Sequence, residues 1–138
     1  MIALDTSVIL TMALDEPEGE RFRSLVGREA LVIGWPTLLE ARMVLTGKGF
    51  PNAKAIVAQL VELPGVTAVA FGERHYHVAE AAFERFGKGR HPAALNMGDC
   101  FAYAVSKVAR APLLFKGGDF GQTDIERHPA SAVLGGGP

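Results

Sequence analysis

Short apolar runs alternate along the chain with longer stretches in which apolar residues return every three or four positions. Ile2-Ala-Leu4 is the first run, and others fall at 30–33, 66–71 and 113–115. Each has the length of a buried strand and is bounded by turn-forming or polar residues. Between them the helical period predicts helices over 8–14, 17–26, 36–47 and 73–86. A further helix is marked by Ile56, Val57, Leu60 and Val61, and Pro64-Gly65 stops it. Thr6-Ser7 offers a hydroxyl cap to the first helix, and Pro36 occupies a favoured first helical position. In helix 73–86 the period turns Val78, Ala82, Phe83 and Phe86 inward. Residues 87–92 form a polar, turn-rich loop. A long helix with Phe101, Ala104, Val105 and Val108 on its apolar stripe follows, with Asn96 as its cap. A short fifth strand fits 131–134, and the glycine-rich 135–138 reads as a flexible tail.

Strands that alternate with helices predict an α/β domain with a mostly parallel central sheet. The expected domain spans 1–134, with no internal repeat and no linker. In such sheets ligands bind beyond the carboxyl ends of the strands.

Composition narrows the picture. With 138 residues, 49% hydrophobic and 21% charged, the chain has one domain's length and ordinary globular chemistry. It carries one cysteine, Cys100, which excludes an intramolecular disulfide and a thiolate zinc site and fits a reduced, cytoplasmic location. Asp5 follows the start with no basic segment and no long apolar run before it, and no stretch approaches the ~20 residues of a membrane span. The net charge of −1 supplies no global field for nucleic acid, so RNA binding would need a local patch or bound cations.

Four acids stand where such a sheet binds its ligands. Asp5 follows the first strand, and Asp119 follows the fourth inside Lys116-Gly-Gly-Asp-Phe120. Glu40 lies one turn into the helix after strand two, and Asp99 lies at the start of the long helix. Taken singly, each has a plain structural reading: a helix cap, a solvated helix position, a turn. Together they form a repelling cluster that calls for positive charge. A hard, oxygen-preferring divalent cation is the natural occupant; magnesium suits it, with manganese as a substitute. A site of this kind lowers the pKa of bound water and steadies the leaving oxygen of a phosphodiester. Thr6 and Ser7 are placed to hydrogen-bond the carboxylates from behind.

Asp5-Thr6-Ser7, Leu39-Glu40-Ala41, the stretch from Leu95 through Gly98-Asp99-Cys100 to Ala104, and Leu113-Leu-Phe-Lys-Gly-Gly-Asp-Phe120 together resemble the PIN domain. More narrowly they resemble the VapC-type toxins of toxin–antitoxin pairs. The resemblance runs in order along nearly the whole chain. It implies a three-layer α/β/α fold, magnesium-dependent endoribonuclease activity on RNA, a homodimer, and neutralisation by a cognate antitoxin. Asp5, Glu40 and Asp99 match the family's acidic positions. Many relatives carry Thr-x-Asp or Thr-x-Asn after the fourth strand, where this chain has Phe115 and Gly117, so the fourth acid falls to Asp119, with Asp124 as the competitor. A cap or turn role is the expectation for Asp124. The antitoxin surface is expected along 8–26 and 36–62, where Val8, Ile9, Leu10, Met12, Phe22, Leu25, Val57 and Leu60 exceed what a thin core layer needs.

Other features read more plainly. His75 and His77 do not share a helix face and belong to a solvated helix start. Trp35 is expected to pack at the sheet edge. Arg85, Lys88, Arg90 and His91 form the one basic cluster, either an RNA contact or solvated surface. A haloacid-dehalogenase-like phosphatase would need an acid where Ser7 stands, and a response-regulator receiver would need adjacent acids after strand one. A housekeeping RNA-processing nuclease and a non-catalytic binding module remain as alternatives.

Overall fold

A computed structural model describes residues 1–134; the tail expected at 135–138 lies outside them. Four parallel strands, β1 (Ile2–Leu4), β2 (Leu31–Gly34), β3 (Val66–Val69) and β4 (Leu113–Leu114), form one sheet in the order β3-β2-β1-β4. Each crossover carries two helices: α1 (Thr6–Ala13) and α2 (Gly19–Arg28), then α3 (Trp35–Gly47) and α4 (Ala53–Glu62), then α5 (Glu73–Phe86) and α6 (Met97–Ala109). This is the expected α/β architecture. The chain steps outward from β1 to β3 and then returns to place β4 on the other side of β1. The sheet order therefore reverses between β1 and β4, and a crevice opens at their carboxyl ends.

Strand alternation divides the core into two layers. Ile2, Leu4, Leu31, Ile33 and Leu114 pack with Val8, Phe22, Leu38, Leu45 and Leu60 of the first four helices. Ala3, Val32, Leu113 and Phe115 pack with Phe86, Tyr103 and Val105 from α5 and α6. With the sheet between them, these layers make the three-layer α/β/α sandwich.

Several expectations change in detail. The cap of α1 is Asp5 rather than a hydroxyl, since its side chain accepts the Ser7 N–H. Phe83 is exposed because α5 leans its other side against α6. Trp35 does not pack at the sheet edge: it opens α3 and is 53% exposed. The residues after β4 form a separate small ladder, in which β5 (Lys116–Gly117) runs parallel to β6 (Ala132–Val133). The fifth strand therefore never joins the main sheet.

Candidate active site

Asp5 is the fixed point of the crevice. Its backbone N–H donates to the Leu114 carbonyl (3.1 Å), which ties it to β4 across the reversal. Its Oδ2 accepts from the Ser7 N–H (3.0 Å) and the Ser7 hydroxyl (2.6 Å). Ser7 Oγ in turn accepts the Lys116 backbone N–H (2.9 Å), so one hydroxyl joins the first acid to the segment that carries the last. Asp5 is both a helix cap and a member of the acidic cluster. Burial lifts its carboxyl to about 6, and Glu40 pushes the same way against the lowering bonds from Ser7.

Glu40 reaches the crevice from the second turn of α3, where its Oε1 accepts the Thr6 hydroxyl. Asp99 enters from the start of α6. Asn96 Oδ1 accepts the Asp99 N–H (2.9 Å), while the Asn96 N–H donates to Asp99 Oδ2 (3.1 Å). This reciprocal cap satisfies two otherwise unpaired helix-end donors and fixes the side chain. Burial raises the Asp99 carboxyl to about 7. The Asn96 N–H opposes that, and the carboxylates of Asp5 and Asp119 reinforce it, Asp119 within hydrogen-bonding reach. Asp119 stands exposed at the head of a single 3-10 turn, Phe120–Gln122. Gly117 before it adopts φ +146, a conformation that only glycine enters freely.

The four acids thus come together as a run of neighbours, Glu40 beside Asp5, Asp5 beside Asp99, Asp99 beside Asp119. Among the described residues no three His, Cys, Asp or Glu side chains converge into a ready-made metal cage. The donor set is made of carboxylate oxygens, which suits a hard divalent cation better than a thiophilic metal. Because Asp5 and Asp99 retain protons to about 6 and 7, a cation bound there would displace protons.

Asp124 lies elsewhere. It accepts the Tyr103 hydroxyl (2.6 Å) and pairs with Lys107 (3.3 Å) and Arg85 (3.4 Å), which together pull its carboxyl below the ordinary range against the opposing effect of burial. It is neither a helix cap nor a member of the crevice, but a clamp from the 3-10 segment to α5 and α6. That clamp also occupies Arg85 from the basic cluster, while Arg90 pairs with Glu84 (3.6 Å). Lys116 is a further tie that local pattern did not disclose. Its ammonium bridges Glu18 (2.9 Å) and Glu16 (3.4 Å), holding the α1–α2 connection against β5. Ninety-eight residues separate Lys116 from Glu18, and no spacing rule reaches that far.

The apolar surplus expected on α1 and α2 is largely absent from the surface. Val8, Ile9, Phe22 and Leu25 are buried, because α1 and α2 cover one face of the sheet, and Leu60 of α4 is buried in the same layer. The exposed apolar surface lies on α3 and its neighbours. A groove of about 620 Å³ between α3 and α4 is lined by Trp35, Leu39, Val57 and Val61, with Arg42, Lys54 and Glu62 at its rim. A cavity of about 810 Å³ beside Glu40 and Gly98 is lined by Trp35, Leu39, Met43, Phe71, Met97 and Phe101. A smaller one of about 350 Å³ lies between α1 and α4. No described helix is long and apolar enough to cross a membrane.

The PIN domain sequence profile matches residues 2–126. Ribonuclease VapC36 of Mycobacterium tuberculosis is 38% identical over 129 residues, covering 89% of this chain and 90% of its own. Among solved structures, Mycobacterium tuberculosis VapC20, described as a sarcin-ricin loop cleaving toxin, superposes with a TM-score of 0.74 at 16% identity, covering 94% of this chain and all of that one. A toxin–antitoxin complex from Klebsiella pneumoniae gives a TM-score of 0.69 at 10% identity, covering 96% of this chain and all of that one. At such identities the structural likenesses speak for the fold.

Proposed function

The chain belongs to the PIN-domain family, and from that premise we propose that it is a magnesium-dependent endoribonuclease, the toxin of a type II toxin–antitoxin pair. The observation that carries this reading is the run Glu40–Asp5–Asp99–Asp119 at the point where the sheet order reverses. Asp5, Asp99 and Asp119 would hold the cation, and Glu40 would hold it or orient the attacking water. Bound there, magnesium or manganese would supply the positive charge that acidifies water and stabilises the leaving oxygen.

This chain's residues do the positioning. The Thr6 hydroxyl fixes one Glu40 oxygen. Ser7 and the Lys116 N–H hold Asp5 in one rotamer. Asn96 orients Asp99. In the reaction the water oxygen adds to phosphorus as the bond to the leaving ribose oxygen breaks; the water proton passes to Glu40, and the leaving oxygen takes up a proton from solvent.

Two protein partners belong to the same reading. A cognate antitoxin would lay an amphipathic helix into the groove between α3 and α4, where Val57 and Val61 offer apolar contact and Arg42 and Lys54 offer charge. A homodimer would cover the exposed Leu39, Met43 and Met97 beside the site. A cytoplasmic location fits a nuclease of cellular RNA.

The deciding experiment incubates the purified chain with a panel of structured RNAs in magnesium, in EDTA, and as Asp99→Asn. Cleavage by the unmodified chain in magnesium alone is expected. Cleavage in EDTA, or full activity of Asp99→Asn with normal melting, would overturn the assignment.

A further inference from the structure

We propose that Gly98 is a positioning residue: the bare Cα it presents on the first turn of α6 forms the seat in which the Glu40 carboxylate rests. This inference rests on the endoribonuclease reading above and assigns a role to a residue that reading does not use.

Glycine is among the poorest helix formers, so local propensity gives no reason for it inside α6. Its backbone does not require it either, because the positive-φ glycines among the described residues are Gly49, Gly89 and Gly117. Space requires it. A Cβ built on Gly98 would fall 2.5 Å from Glu40 Cδ and within the van der Waals envelope of both carboxylate oxygens. The three atoms it would meet first all belong to Glu40. Glu40 Oε1 also accepts the Thr6 hydroxyl, just past the carboxyl end of β1. The carboxylate is therefore held by a hydroxyl and by the space of an absent side chain, which brings it next to Asp5.

Any side chain at position 98 evicts the carboxylate. Glu40 is long and flexible, so the chain can fold around the intrusion, but the acid leaves its place in the run. Gly98 acts through Glu40 and has no reactive group of its own.

A four-protein cycle tests this: the unmodified chain, Gly98→Ala, Glu40→Ala and the double variant, each melted in EDTA and assayed for RNA cleavage in magnesium. In the Glu40→Ala background Gly98→Ala meets no carboxylate, and better helix propensity should raise the melting temperature by about 2 °C. In the unmodified background the same substitution should give no gain or a loss, and cleavage should fall at least ~10-fold, about 1.4 kcal/mol. If Gly98→Ala fails to fold, recovery of folding in the double variant supports the proposal, and continued failure overturns it. Equal melting shifts in both backgrounds would overturn it, as would full cleavage by Gly98→Ala. The melting cycle decides the coupling even when the unmodified chain cleaves no RNA, and that last result would instead remove the endoribonuclease reading.

Discussion

Replacing Asp5 with Asn should stabilise the metal-free protein, and by an amount that depends on pH in a defined way. Asp5 is 6% exposed, and burial lifts its carboxyl from an ordinary 3.8 to about 6. The folded chain therefore holds a proton between about pH 4 and 6 that the unfolded chain has released. Stability falls as pH rises through that window, because the folded state binds more protons there. At about 1.36 kcal/mol per pH unit the full loss above pH 6 is about 3 kcal/mol. Asparagine escapes it. With its Oδ1 in the place of Asp5 Oδ2, it can still accept from the Ser7 N–H and hydroxyl, and it caps a helix as well as aspartate does. Urea unfolding in EDTA at pH 4, 6 and 8 is the assay. The variant should match the parent near pH 4 and exceed it by about 1–3 kcal/mol at pH 8. A gap that does not change with pH, or a variant less stable than its parent at pH 8, would refute the reasoning.

The two acids after β4 should separate cleanly. Asp119→Asn is expected to cut single-turnover cleavage at least ~10-fold with little change in melting. Asp124→Asn should retain most activity but lose about 1–2 kcal/mol of stability, because it weakens the clamp on Tyr103, Lys107 and Arg85. Magnesium at 10 mM should raise the melting temperature by about 3 °C if its dissociation constant is about 1 mM, and Asp5→Asn should shrink that rise; an unchanged response, read by differential scanning fluorimetry, counts against the metal site. Val57→Glu places a charge in the groove between α3 and α4, and co-purification with the cognate antitoxin should fall sharply while cleavage persists.

Much of this protein is legible in local pattern. The apolar runs at 2–4 and 30–33 were legible as buried strands, and alternate side chains then leave on opposite sides, with Ile2, Leu4, Leu31 and Ile33 in one layer and Ala3 and Val32 in the other. Helix period and the Asn96 cap located α6, and Asp5, Glu40 and Asp99 were legible as acids next to strand and helix ends. The choice between Asp119 and Asp124 was not. Both follow β4 within a few residues, and what separates them is that Tyr103, Lys107 and Arg85 converge on Asp124 from helices distant in the chain. The surplus of apolar residues on α1 and α2 misled for a related reason: periodicity reports that a face is covered, not whether a sheet or a partner covers it. Trp35, Leu39 and Met43 stay exposed because α3 turns its second apolar side away from the sheet, which only the packing of six helices decides. The pairing of Gly98 with Glu40 lies wholly beyond local pattern. It depends on the crossover that brings the start of α6 against the second turn of α3, fifty-eight residues away, and a glycine in a helix carries no mark of what fills the space it leaves.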